Sequence, residues 1–382
     1  MKNPYLNRVA IRDINQFYGR RKEIARIFSR LGASRPQSVS IVGERRIGKS
    51  SLLNYIYSPV VRGEQLDSVN NYIFIFMDLQ QKRYETIEAF FTDFLELIVQ
   101  AVAEPLPLRG QDFDGVRKVF AELHRRGRKL IVLLDEFDVI TANQAFNLDF
   151  FSFLRSAANN YDLAYITSSA RELQVLCHAD QIADSPFFNI FTNIYLRPFT
   201  SEETLLLIAE PSRAAGVSLE SYSKAIIDLA GQFPFFLQIA CATYVDHLSD
   251  GGGLDAGQIA ESFLDEAGVH FRYIWEHFSP PEREVVDAVI HQREIPRMHL
   301  HVADALRRNG YLTSEGRLFS RCFATAIAGS VTGRNLVRAT PVVKQKRDYY
   351  PSDPFIESGP RLAGFDRDSY AIPPTDPALH PQ

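Results

Sequence analysis

One short turn constrains this chain more than any other feature. Gly43-Glu44-Arg45-Arg46-Ile47-Gly48-Lys49-Ser50 meets the pattern GxxxxGK[ST] at every fixed position. It lies between the β-branched run at 38–42 and the amphipathic stretch at 51–58. Such a turn folds only as a strand, a tight loop and a helix. Glycines let the backbone turn its N–H groups inward around an anion, and the helix that follows points the positive end of its dipole at the same place. The backbone of Gly43, Arg46, Ile47, Gly48 and Ser51 is therefore expected to cradle phosphates. Lys49 is expected to reach the β- and γ-phosphates, and Ser50 to place its hydroxyl on Mg²⁺. Glu44, Arg45 and Arg46 fill variable positions and read as solvated loop charges; the alternative is that one arginine, with Arg46 the candidate, touches nucleotide or a neighbouring subunit.

Two further apolar runs, at 72–77 and 130–134, each stop at an acid, and weaker runs lie at 164–167 and 194–196. Helical spacing fills the intervals, at 86–103, 113–126 and 147–158. Continuous apolar strands alternating with helices predict an α/β fold with a parallel sheet covered on both faces. The order expected for a phosphate-binding sheet of this kind is 5-1-4-3-2, with ligands at the carboxyl ends of the strands. The run at 130–134 ends in Asp135-Glu136. Downstream of a phosphate loop, the first acid is expected to hold the hydrated Mg²⁺ and the second to orient or deprotonate the attacking water. Thr167-Ser168-Ser169 closes the next run. Ser168 is either a hydroxyl facing the γ-phosphate or a polar strand exit.

After residue 200 no strand-like run appears until a hairpin pattern at 311–320, with Ser314-Glu315-Gly316 at its tip. Helices are expected on either side of a break at 231–234, from 256 onward, at 282–291 after a Ser279 cap, and near 298–309. Between 341 and 382 there are eight prolines and apolar periodicity is lost, which predicts a disordered or extended tail over 331–382. The net charge of −4 excludes a wholly electrostatic nucleic-acid binder. Three dispersed cysteines, the lack of a signal-type start and the lack of a long apolar run predict a cytoplasmic protein without a membrane span.

Several of these elements together resemble the STAND-type ATPases and their AAA+ relatives. Phe17-Tyr18-Gly19-Arg20 with Glu23 resembles a turn that in that family lies beside the adenine. Gly231-Gln232-Phe233-Pro234 is similar to the Gly-x-Pro element of the helical lid, whose proline approaches the base. Residues 196–203 resemble the link into that lid, and 271–330 resemble the winged-helix domain that usually follows. The resemblance implies a core at 1–200, a lid at 201–270 and a winged helix at 271–330. It implies ATP/ADP and Mg²⁺ as ligands, slow hydrolysis, and a switch that controls self-assembly or a protein partner. A DNA-acting ATPase using the winged helix is the alternative. Residues 280–330 carry seven Arg or Lys against six Asp or Glu. That near balance favours a protein contact over a phosphate-binding face.

Overall fold

The computed structural model describes residues 3–331 apart from 81–83, 103, 109, 179, 184 and 250–254. The tail expected over 331–382 lies outside the described residues except for Val331, and so does most of the loop expected at 249–253.

Five strands form one sheet: β1 Val39–Gly43, β2 Tyr72–Asp78, β3 Lys129–Asp135, β4 Leu163–Ser169 and β5 Thr192–Leu196. Their order is β2-β3-β4-β1-β5, which is the expected order read from the other edge, and every pairing is parallel. Strand alternation explains why both faces are apolar. On β3, Ile131 and Leu133 enter one core with Val39 and Ile41. Leu130, Val132 and Leu134 enter the other, which is built around phenylalanines such as Phe90, Phe120 and Phe150. Phe90 and Phe150 meet edge to face with centroids 5.3 Å apart, a favoured arrangement for packed rings.

The crossover helices begin where their sequences allow a cap. Thr86 accepts from Ala89 N, Asp112 from Gly115 N and Asn147 from Phe150 N, opening Ile87–Ala101, Phe113–Arg125 and Leu148–Asn160. Because the strands are parallel, the ends at Gly43, Asp78, Asp135 and Ser169 all lie along one edge of the sheet.

C-terminal to β5 the described chain is mainly helical. Ser201–Ala214, Ser223–Ala230 and Pro234–Ser249 are followed by Ala256–His277, which runs unbroken through residue 270. Pro280–Ile290, Leu300–Arg308 and Arg321–Val331 complete the described helices. The hairpin pattern at 311–320 forms a single antiparallel bridge, Leu312 to Leu318. These elements and the sheet belong to one compact unit. Gly310 shows how closely they pack. Its φ is +83°, and a Cβ there would sit 2.1 Å from Pro198 Cγ, just beyond β5.

Candidate functional site

The phosphate loop leaves the end of β1 and returns as the helix Lys49–Tyr57, with Gly48 at φ +101°, a conformation open to glycine. Arg46 also takes a positive φ of +65°, held there by its surroundings. Its guanidinium donates to Arg8 O at 2.9 Å and lies over the Phe235 ring at 4.6 Å. Lys49 is buried, and its ammonium donates to Gly43 O at 3.1 Å, so the side chain lies along the inside of the loop.

The variable positions of the loop depart from the expectation of solvated charges. Glu44 accepts from Asn309 Nδ2 at 3.1 Å and from the Tyr311 hydroxyl at 3.0 Å. Arg45 lies over the Tyr273 ring at 4.6 Å. Burial raises the Glu44 pKa, against the lowering effects of the Tyr311 hydrogen bond and the Lys49 charge. All three side chains therefore pack against distant helices and the turn at 309–311.

Asp135 and Glu136 follow at the end of β3. Asp135 is buried, and the Ser168 hydroxyl donates to its carboxylate. Desolvation pushes its pKa up, the Ser168 and Ser50 hydroxyls oppose the shift, and Asp78 alongside adds to it. Glu136 takes a left-handed φ of +54°, which costs a residue with a Cβ roughly 1–2 kcal/mol. Desolvation raises its pKa as well. Lys49 pulls it down, while Asp138 and Asp135 push it further up. A carboxyl group held near protonation beside an ammonium is suited to taking a proton from water.

Lys49, Ser50 and Glu136 line one cleft, together with Arg46, Ile47, Gly48 and Ser51. Phe17, Tyr18, Arg20 and Pro234 line the same cleft, so residues far apart in sequence meet around one space. Arg20 explains part of that assembly. It is buried at a left-handed φ of +62°, donates to Ile47 O at 3.0 Å and lies over the Phe199 ring at 4.7 Å. Its backbone N–H donates to Glu203 Oε1 at 2.6 Å, while the other Glu203 oxygen caps Thr200 N at 2.9 Å. One carboxylate thus ties the Gly19-Arg20 turn to the start of the helix Ser201–Ala214. Gly19 is needed because its φ is +78° and a Cβ would sit 3.0 Å from Glu203 Oε1.

Gly19, Gly43, Asp135 and Ser168 are not on the cleft wall. The two glycines shape turns behind it. Asp135 is buried at the end of β3, and Ser168 stands one hydrogen bond behind it. The cleft also has a wall that the sequence reading missed, formed by the segment Asn7–Ile11. This segment and the residues just before it are tied down. Tyr5 OH donates to Ile208 O, Asn3 Nδ2 to Ala242 O at 2.9 Å, and Ile11 N to Ser51 Oγ at 3.0 Å. Phe235 and Gln238 also line the cleft. The segment has no regular element and hence no hydrophobic period to betray it.

The donor set suits a hard divalent cation. Ser50 and Asp135 offer a hydroxyl and a carboxylate oxygen, the hard ligands that Mg²⁺ takes. Among the described residues no group of three or more His, Cys, Asp or Glu could hold a metal alone. An ion here would need phosphate oxygens as further ligands.

The chain matches the family model described as Novel STAND NTPase 2 over residues 33–294. No curated protein matches it. Among solved structures it resembles the Walker-type ATPase of Pyrococcus abyssi, at 16% identity and TM-score 0.59, covering 85% of this chain and 99% of that one. It also resembles the ORC2 protein of Aeropyrum pernix in its ADPNP–ADP complexes, at 14% identity and TM-score 0.55, covering 87% and 98%. At these identities the likeness shows the fold, that of a P-loop ATPase. Among the described residues no helix is long and apolar enough to cross a membrane.

Proposed function

This chain belongs to the Novel STAND NTPase 2 family, and from that premise we propose that it binds ATP with Mg²⁺, hydrolyses it slowly, and uses the nucleotide state to control self-assembly or a protein partner. The observation that carries this reading is the single cleft shared by Lys49, Ser50, Glu136, the Phe17–Arg20 turn and Pro234. In this reading the backbone of Gly43–Ser51 and the Lys49 ammonium hold the phosphates. Phe17, Tyr18 and Pro234 flank the base. Ser50 and Asp135 hold the metal, and Glu136 takes the proton of the attacking water. Mg²⁺, when bound there, would supply neutralisation of the phosphate charge.

The switch belongs to the same proposal, as does the division into a core at 1–200, a lid at 201–270 and a winged helix at 271–330. Glu44 supports it, because the phosphate loop is bonded directly to Asn309 and Tyr311. Any shift of the loop around a triphosphate acts on that contact. The basic side chains of the C-terminal segment support a protein contact over a DNA contact. Arg307 pairs with Asp304 at 2.7 Å, Arg321 with Asp228 at 3.0 Å, and Arg293 with Asp287. Paired arginines have less charge to offer a phosphate backbone.

Light scattering after size exclusion, with and without ATP·Mg²⁺ and using Glu136→Gln to hold the ATP state, tests the switch. A change in mass or hydrodynamic radius is expected. Identical mass and radius in both states would remove the regulatory reading.

A further inference from the structure

Ser168 is the penultimate residue of β4, bonded to Asp135, and is fully buried. A serine hydroxyl has one proton to donate and two lone pairs. The Ser168 proton goes to Asp135 Oδ1, and its oxygen accepts from Glu136 N at 2.9 Å. Its own carbonyl accepts from Phe137 N at 2.8 Å. One residue therefore grips three consecutive positions, the last two across the strained turn at Glu136, whose φ is +54°.

A γ-phosphate sensor must offer a proton to a phosphate oxygen. Ser168 has given its only one to Asp135, and it does not reach the cleft that Lys49, Ser50 and Glu136 line. Ser169 is committed too, since its hydroxyl donates to Arg171 O at 2.6 Å. We infer that Ser168 is a positioning residue: it aims the Asp135 carboxylate at the metal site and holds the Glu136 turn, and it does not touch nucleotide. This inference rests on the ATP·Mg²⁺ reading above and adds to it the group that orients the metal carboxylate. Partners that orient a metal ligand typically change metal affinity or activity by about 10–100-fold when lost.

The test uses the full chain with Mn²⁺ as the metal probe, read by electron paramagnetic resonance in the presence of ADP or a non-hydrolysable ATP analogue. For Ser168→Ala, nucleotide affinity without metal should stay within about twofold of wild type, whereas Mn²⁺ affinity and turnover should each fall about tenfold or more. Ser168→Thr, which keeps the hydroxyl, should recover most of both. Ser168→Cys, close in size and a weak donor, carries the same comparison if the alanine variant does not fold. Unchanged Mn²⁺ affinity together with loss of preference for the ATP analogue over ADP would overturn the inference and make Ser168 a phosphate sensor. A wild-type chain that binds no nucleotide would overturn the ATPase reading itself, a result separable from the first.

Discussion

The Tyr311 hydroxyl donates to Glu44 Oε2 at 3.0 Å, joining the phosphate loop to a turn 267 residues further along the chain. The Tyr311 ring packs against Phe233 at 5.6 Å and Phe278 at 5.0 Å, so removing only its hydroxyl leaves the packing in place. Tyr311→Phe should therefore isolate the polar contact. A double-mutant cycle with Glu44→Gln, read by urea unfolding, should give a coupling of about 1–2 kcal/mol, in the range of a hydrogen bond to an acidic partner. Strict additivity would show that the two residues are not energetically joined.

Lys49→Ala should remove most nucleotide affinity. A charge-assisted contact from this ammonium to phosphate is worth roughly 1.5–3 kcal/mol, a loss of about 10- to 150-fold in binding. Titration calorimetry with ATP and ADP checks it. Near wild-type affinity would mean that the phosphates lie elsewhere.

Glu136→Gln should leave ATP binding within a few fold and lower turnover by about 10²-fold or more, the usual share of a general base. The pH profile provides a second check. Burial raises the Glu136 carboxyl above its ordinary value, and a base must be ionised to act. Activity should therefore be lost on acidification through the raised pKa, at a higher pH than an ordinary carboxylate would give. That acid limb of kcat/KM should be absent in the glutamine variant. Phosphate release measured across pH reads both.

Gly310→Ala should destabilise the fold. The added Cβ meets the Pro198 ring, and the backbone is left-handed with φ +83°. A cost of about 2 kcal/mol or more is expected from strain and contact together, seen as a lower Tm. An unchanged Tm would show that the turn relaxes away from Pro198 freely.

The parts of the site that could be read in advance are those with local chemistry. The β-branched run before Gly43, the apolar run before Asp135 and the break before Pro234 are continuous in sequence, and each becomes the predicted strand or helix boundary. The Phe17–Arg20 turn was identified by resemblance, and the structure adds the reason for its form, since Glu203 binds its backbone. The wall at Asn7–Ile11 was missed because it is irregular and held by side chains far along the chain, such as Glu266, which Arg8 grips at 2.9 Å.

The sequence alone determined the strand–loop–helix unit, the alternation that buries both faces of the sheet, and the order in which the acids arrive at its edge. These depend on residue type and short spacing, which a linear text records. Tertiary structure decided how individual polar groups are used: Glu44 is bonded to Asn309 and Tyr311 instead of water, and the one proton of Ser168 goes to Asp135. A charge or a hydroxyl can satisfy itself in many ways at similar cost, and only the fold, by bringing distant partners within hydrogen-bond reach, selects among them.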